Sequence, residues 1–167
     1  PIGFSNCIRY FGWSRLPSDI GAIVDSVERR RLEISKLGGE HEILYSPKPN
    51  ADSSRVNLEP GEVKRWTAEQ IANTGKSQRW GILLFLLARE FKARRVIELG
   101  TCVGLSAKYI LSAGSVDQLI TIEGSEMLSR IAEETLSEYG DRSTCQCSLF
   151  GDGLDEILTV DFDQLDL

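Results

Sequence analysis

Residues 95–106 read RVIELGTCVGLS, and this stretch decides the fold. Val96–Leu99 is a short, mainly apolar run bounded by charged residues and glycine, a pattern typical of a strand buried in a parallel sheet. Gly100 and Gly104 bracket a tight loop. Apolar residues at positions 103, 107, 110 and 111 then follow helical spacing, so a helix should begin where the loop ends. The stretch therefore predicts a strand–loop–helix unit.

The flanking segments extend this unit into a regular alternation. A buried helix is expected over Gln78–Phe91, a second strand over Leu119–Ile122, and a helix after Ser125, which would cap it. A third strand (144–149), a turn at Gly151–Gly153, a short helix (154–158) and the start of a fourth strand (164–167) complete the pattern. This β-α-β-α order predicts an α/β fold, a Rossmann-like parallel sheet. The sheet would need further strands, so we expect a fold truncated near its fourth strand.

The preceding residues, 1–77, are predicted to form a helical and loop extension to the domain that occupies 78–167. One helix should run from Ser18, its N-cap, to about Leu37, and another from Val63 to about Ala72. Residues 38–63 are rich in glycine, proline and small polar residues, which indicates a long loop. Three consecutive arginines, 29–31, fall within the first helical pattern. We interpret them as a solvated helix face rather than a nucleic-acid patch.

Composition argues against several classes of protein. Residues 96–167 carry 3 Lys/Arg against 14 Asp/Glu, an acidic surface that would repel a phosphate backbone. Neither an apolar run of membrane-spanning length nor a secretory signal is visible, so a cytoplasmic protein without membrane partners is expected. With one histidine and no CxxC pair, the sequence has no zinc-site spacing.

Ligands of such sheets bind at the carboxyl ends of the strands, where the loop after Leu99 lies. A dinucleotide site needs G-x-G-x-x-G, but here Cys102 occupies the place of the second glycine. The Glu98 carboxylate would repel a pyrophosphate and attract a cationic ligand. Glu123 ends the second strand, where a carboxylate can accept both ribose hydroxyls of either cofactor class. Cys102 itself is interpreted as a small loop residue rather than a nucleophile, since no histidine is near in sequence.

This motif resembles motif I of the class I methyltransferases that use S-adenosylmethionine (SAM). Its form, E-L-G-T-x-x-G-x-S, is most similar to the catechol and caffeoyl-CoA O-methyltransferase branch. The resemblance covers about residues 78–167 and implies a cofactor site with three parts. These are the methionine end (Glu98, Gly100, Thr101, Gly104 and Ser106), the ribose (Glu123 and Gly124) and the adenine (Asp152 and Gly153).

The resemblance also implies a reaction, namely transfer of a methyl group from SAM to an oxygen of a small molecule. Two alternatives stay open: a non-catalytic methyltransferase-like binding module, and a nicotinamide-dependent oxidoreductase. In the resembled branch a divalent metal assists, and its ligands and the catalytic residue would lie outside these 167 residues. The expected partner is a small-molecule substrate, and an open strand edge predicts self-association.

Overall fold

A computed structural model describes residues 16–44 and 63–159 of the chain. Its elements, in chain order, are α1 (Ser18–Ser35), β1 (Glu40–Leu44), β2 (Val63–Thr67), α2 (Ala68–Thr74), α3 (Gln78–Glu90), β3 (Arg95–Leu99), α4 (Leu105–Leu111), β4 (Gln118–Glu123), α5 (Glu126–Leu136), a 3-10 segment (Ser137–Arg142), β5 (Ser143–Cys147) and α6 (Phe150–Thr159).

The central sheet is parallel and has the strand order β3-β4-β5. Glu98 pairs with Thr121, and Glu123 pairs with Cys147, so the carboxyl ends of neighbouring strands lie side by side. Apolar side chains on β3 and β4 are buried, including Val96, Leu119 and Ile122. Burial on both faces is what a run of apolar residues in a parallel strand requires. This α/β arrangement confirms the predicted Rossmann-like sheet.

The segment from 63 to 67 was predicted to be helical, and that prediction is wrong. These residues form β2, which pairs antiparallel with β1 in a separate two-stranded sheet. The helix begins only at Ala68. The Thr67 side chain accepts from the Gln70 N–H and the Gln70 side chain accepts from the Thr67 N–H, a capping box that fixes this start. Among its described residues, the N-terminal extension therefore contains the helices α1 and α2 and a two-stranded antiparallel sheet, whose strand β1 lies where a loop was predicted.

The predicted turn at 151–153 is also wrong, because these residues lie inside α6. Gly153 is required by the packing of α6 rather than by a turn. A β-carbon there would lie 2.9 Å from Cδ1 of Ile122 and 2.5 Å from Oγ of Ser148. Glycine thus lets α6 approach β4 closely.

Of the three arginines of α1 predicted to be solvated, Arg29 is exposed, but Arg30 and Arg31 are not. The side chains of Arg30 and Arg31 are only 20% and 14% exposed. Arg30 donates from Nε to Thr135 Oγ1 of α5 (3.0 Å), and Arg31 bonds to the backbone at the end of α2. Burial of the long arginine stems explains why a charge run can cross-link helices instead of facing water.

Two further expectations had mixed outcomes. The helix predicted from Gln78 forms as α3, but Trp80 and Phe91 at its ends are more than half exposed, so it is less buried than expected. Ser77 and Ser125 flank their helices as predicted, although neither side chain makes a capping hydrogen bond. The expected fourth strand lies outside the described residues. Within the described ranges, no helix is long and apolar enough to cross a membrane.

Candidate functional site

The loop after β3 is held by backbone hydrogen bonds to the neighbouring strand. The N–H groups of Gly100 and Thr101 both donate to the carbonyl oxygen of Ile122, at 2.9 and 3.2 Å. Gly100 has a φ of +89°, which glycine adopts without steric cost. Cys102 has a φ of +51°, an uncommon conformation for a side chain of any size. The loop is therefore a fixed, partly strained turn over the end of the sheet.

Glu123 supplies the contact that holds Cys102 in this conformation. One carboxylate oxygen accepts from the Cys102 N–H at 2.8 Å, and the other accepts from the Ser125 N–H at 3.0 Å. Hydrogen bonds to a charged acceptor are stronger than neutral ones. Each oxygen still has a second lone pair, so the carboxylate can accept further donors from a ligand.

Glu98 lies at the base of the loop in a network of hydroxyl groups. Thr121 Oγ1 donates to Glu98 Oε2 at 2.8 Å, and Thr121 and Thr101 share a hydrogen bond of 2.5 Å. Burial raises the pKa of Glu98 above its ordinary value, hydrogen bonds from Ser106 and Thr121 oppose this, and the nearby Glu123 charge raises the pKa further. A cationic group placed beside Glu98 would favour its charged form.

Two cavities open on either side of this loop and share Thr74, Gly100 and Cys102. The smaller, about 240 Å³, reaches Glu123 and Gly124. Its remaining lining is mostly apolar: Ile43, Trp66, Ile71, Leu128, Ser148, Leu149 and Phe150. The larger, about 510 Å³, contains Glu98, Thr101 and Ser106 together with the edge of β3. The two carboxylates therefore line two different cavities that share these three residues.

The residues expected around a cofactor fall into two groups in the structure. Six of the nine line the cavities: Glu98, Gly100, Thr101, Ser106, Glu123 and Gly124. Gly104 instead packs against α5, where a β-carbon would lie 3.3 Å from Cα of Ala132. Asp152 is exposed on the first turn of α6, and Gly153 is buried beneath it. Neither lines the two cavities, so their assignment to an adenine stays a prediction.

Sequence reasoning missed several residues of the site. Thr121 could have been found, because it precedes Glu123 by two positions and so shares its face of the strand. Phe150, 40% exposed at the cavity wall, carried no pattern of its own. Ile43 and Trp66 reach the cavity from the strands β1 and β2, whose pairing was not predicted. Thr74 ends α2 at a break in the helical pattern, which gave no sign of a ligand.

Cys102 is poorly suited to nucleophilic chemistry. Burial raises the pKa of its thiol to about 11, and the Glu123 charge adds to the effect. A neutral thiol is a weak nucleophile at pH 7. Among the described residues, no group of three or more His, Cys, Asp or Glu side chains is placed to hold a metal ion.

Comparisons with known proteins give structural likeness alone. No protein-family profile matches the sequence, and no curated protein matches it. An O-methyltransferase from Bacillus cereus, solved in complex with S-adenosylhomocysteine (SAH), is 18% identical with a TM-score of 0.57. The alignment covers 95% of this chain and 56% of that one. The SAH-bound methyltransferase PaMTH1 from Podospora anserina is 17% identical with a TM-score of 0.53, over 91% and 50% of the two chains.

The chain thus spans about half the length of these two structures. Because each alignment covers more than nine-tenths of this chain, the likeness extends well beyond the loop that carries the motif. The likeness at the level of fold confirms the predicted Rossmann-like α/β architecture, which this chain shares with these two methyltransferase structures.

Proposed function

We propose that this chain forms the SAM-binding part of a methyltransferase that acts on an oxygen of a small molecule. The observation that carries the proposal is the placement of Glu98 and Glu123 at the ends of adjacent strands, where each lines one of two cavities that share residues of the glycine-containing loop. Both solved structures named above hold SAH, which supports the choice of cofactor.

The residues present fit this cofactor. Glu123 can accept the two ribose hydroxyls, because its oxygens each retain a free lone pair after binding the Cys102 and Ser125 N–H groups. The apolar wall made by Leu128, Leu149 and Phe150 suits the flat face of an adenine. Glu98 in the larger cavity is placed for the ammonium group of the methionine part.

SAM, when bound, supplies an electrophilic methyl group on its sulfonium sulfur. The residues of this chain would bind and orient the cofactor and exclude water from it. Positioning of this kind accounts for much of the rate in displacement reactions. We assign no catalytic residue among residues 16–44 and 63–159. A divalent metal, if one assists, would need ligands from other residues.

A nicotinamide cofactor suits the site less well. Its pyrophosphate would have to pass the loop at Cys102, where a side chain replaces the glycine that dinucleotide sites use. The Glu98 carboxylate beside that loop would repel the two phosphate charges. We find no observation that favours a non-catalytic module over an enzyme.

Calorimetric titration of SAH tests the proposal, using Glu123→Gln and the control Glu126→Gln. Glu126 is an exposed carboxylate on the first turn of α5, so its replacement changes the charge equally without touching the cavity. We expect wild-type binding in the micromolar range. Loss of one charge-assisted hydrogen bond of about 1.5–3 kcal/mol weakens binding roughly tenfold or more in Glu123→Gln. Equal affinities of the two variants would refute the ribose assignment, and tighter binding of NADH than SAH would refute the cofactor.

A further inference from the structure

Residues 72–76, the end of α2 and the two residues after it, contribute to the walls of both cavities. Thr74 lines both compartments, and Gly75 and Lys76 line the larger one. The short helix α2 ends here, at Thr74. The last carbonyl groups of a helix have no partner within it, so this segment needs donors from elsewhere.

Arg31 of α1 supplies those donors. Its Nη1 donates to the carbonyl oxygen of Ala72 at 2.5 Å, and its Nη2 donates to the carbonyl oxygen of Lys76 at 2.8 Å. One guanidinium group therefore bridges the two ends of the segment. A positive charge at the carboxyl end of α2 also interacts favourably with the helix dipole.

The guanidinium group of Arg31 is itself held in place by a hydrogen bond to Glu28. Arg31 Nε donates to Glu28 Oε2 at 2.8 Å, and the other oxygen of Glu28 accepts from the Tyr109 hydroxyl at 3.3 Å. Tyr109 is 1% exposed and belongs to α4, the helix that follows the loop over the sheet. Arg31 thus connects three parts of the molecule: α1, the helix that begins at the site loop, and the segment that contributes to the cavity walls.

We propose that Arg31 is a positioning residue for the ligand site, because it fixes the backbone of 72–76 and so sets where Thr74 lies between the two cavities. The proposal deepens the proposed function and rests on it. Arg31 does not line either cavity. Its effect on a ligand is transmitted through the segment whose carbonyls it binds.

Arg30 provides a matched control. It lies next to Arg31 on α1, has a similarly buried side chain, and also bonds another helix, through Thr135 and Glu134 of α5. The residues it contacts do not line the cavities. Arg30→Met and Arg31→Met therefore each remove one cross-link between helices, but only the second releases residues 72–76.

Two measurements on the full chain test the proposal. The first is amide hydrogen exchange of residues 73–76 without ligand, and the second is the dissociation constant for SAH, both well below the melting temperature of each variant. We expect Arg31→Met to speed exchange there and to weaken SAH binding about tenfold, while Arg30→Met changes affinity less than about twofold. Arg31→Lys, which keeps the charge but cannot bridge two carbonyls as a fork, should recover the affinity only in part.

Several results would contradict the proposed role of Arg31. Equal affinities of Arg30→Met and Arg31→Met would overturn the positioning role, as would faster exchange without weaker binding. Full recovery by Arg31→Lys would attribute the effect to charge alone and overturn it too. Absence of SAH binding by the wild-type protein would refute the proposed function, and the inference with it. Exchange measured without ligand distinguishes that outcome from a failure of the Arg31 contacts.

Discussion

Gly104 offers a sharp test of how the loop after β3 packs. It has a φ of +79°, and a β-carbon there would lie 3.3 Å from Cα and 3.4 Å from the carbonyl oxygen of Ala132 in α5. In Gly104→Ala the left-handed backbone costs about 1 kcal/mol. Crowding against helix backbone, which cannot rotate away as a side chain can, costs about 1–3 kcal/mol more. We expect a total loss of about 2–4 kcal/mol in the free energy of unfolding.

Gly114→Ala is the matched control for this change. Gly114 has a φ of +75°, but nothing lies within 4 Å of where a β-carbon would stand, so only the backbone cost of about 1 kcal/mol applies. Urea denaturation followed by circular dichroism measures both losses. The difference between them isolates the approach of the loop to α5. Equal losses in the two variants would refute the close contact at Ala132.

Three other substitutions have opposed or pH-dependent outcomes. Gly81→Ala should destabilise by about 1–3 kcal/mol, because its β-carbon would fall on the ring of the buried Tyr109, whereas Gly21→Ala in open space on α1 should stabilise by about 0.5–1 kcal/mol. Thermal melts check the two signs, and a loss in both variants would contradict the packing described. Burial raises the pKa of Glu98 in the folded chain above that in the unfolded chain. The contribution of Glu98 to stability is therefore fully present below its ordinary pKa, and it is lost as the pH rises through the raised pKa of the folded chain. Glu98→Gln should therefore gain stability relative to wild type as pH rises above the ordinary glutamate pKa of about 4.3, measured by urea denaturation, and a difference that stays constant with pH would contradict this.

The central strands and their loop could be predicted from sequence because local pattern and tertiary environment agree there. Val96 is apolar since it is buried in β3, and Gly100 is a glycine since its φ is positive. The predicted carboxylates Glu98 and Glu123 reach the cavities because strand ends in a parallel sheet share one edge. Such rules depend on spacing alone, which a single sequence contains.

Other features depend on contacts distant in sequence. Gly153 looks like part of a turn, but its lack of a side chain is explained by Ile122, 31 positions earlier. Arg31 looks solvated, but its partners are carbonyl groups far along the chain, with Ala72 at a separation of 41 residues. Val63–Thr67 forms a strand only because β1 pairs with it. Propensity and periodicity do not contain this information.

We expect a ligand to bind where the carboxyl ends of β3 and β4 meet. The most direct test is a series of two-dimensional NMR spectra of the ¹⁵N-labelled protein during addition of SAH. We predict chemical-shift changes at the amides of Gly100, Cys102 and Ser125, whose N–H groups lie at the loop or donate to Glu123, and none at Gly114 at the opposite end of α4. Shifts confined to Gly114 and its neighbours, or no shifts at saturating SAH, would show that SAH does not bind at this loop.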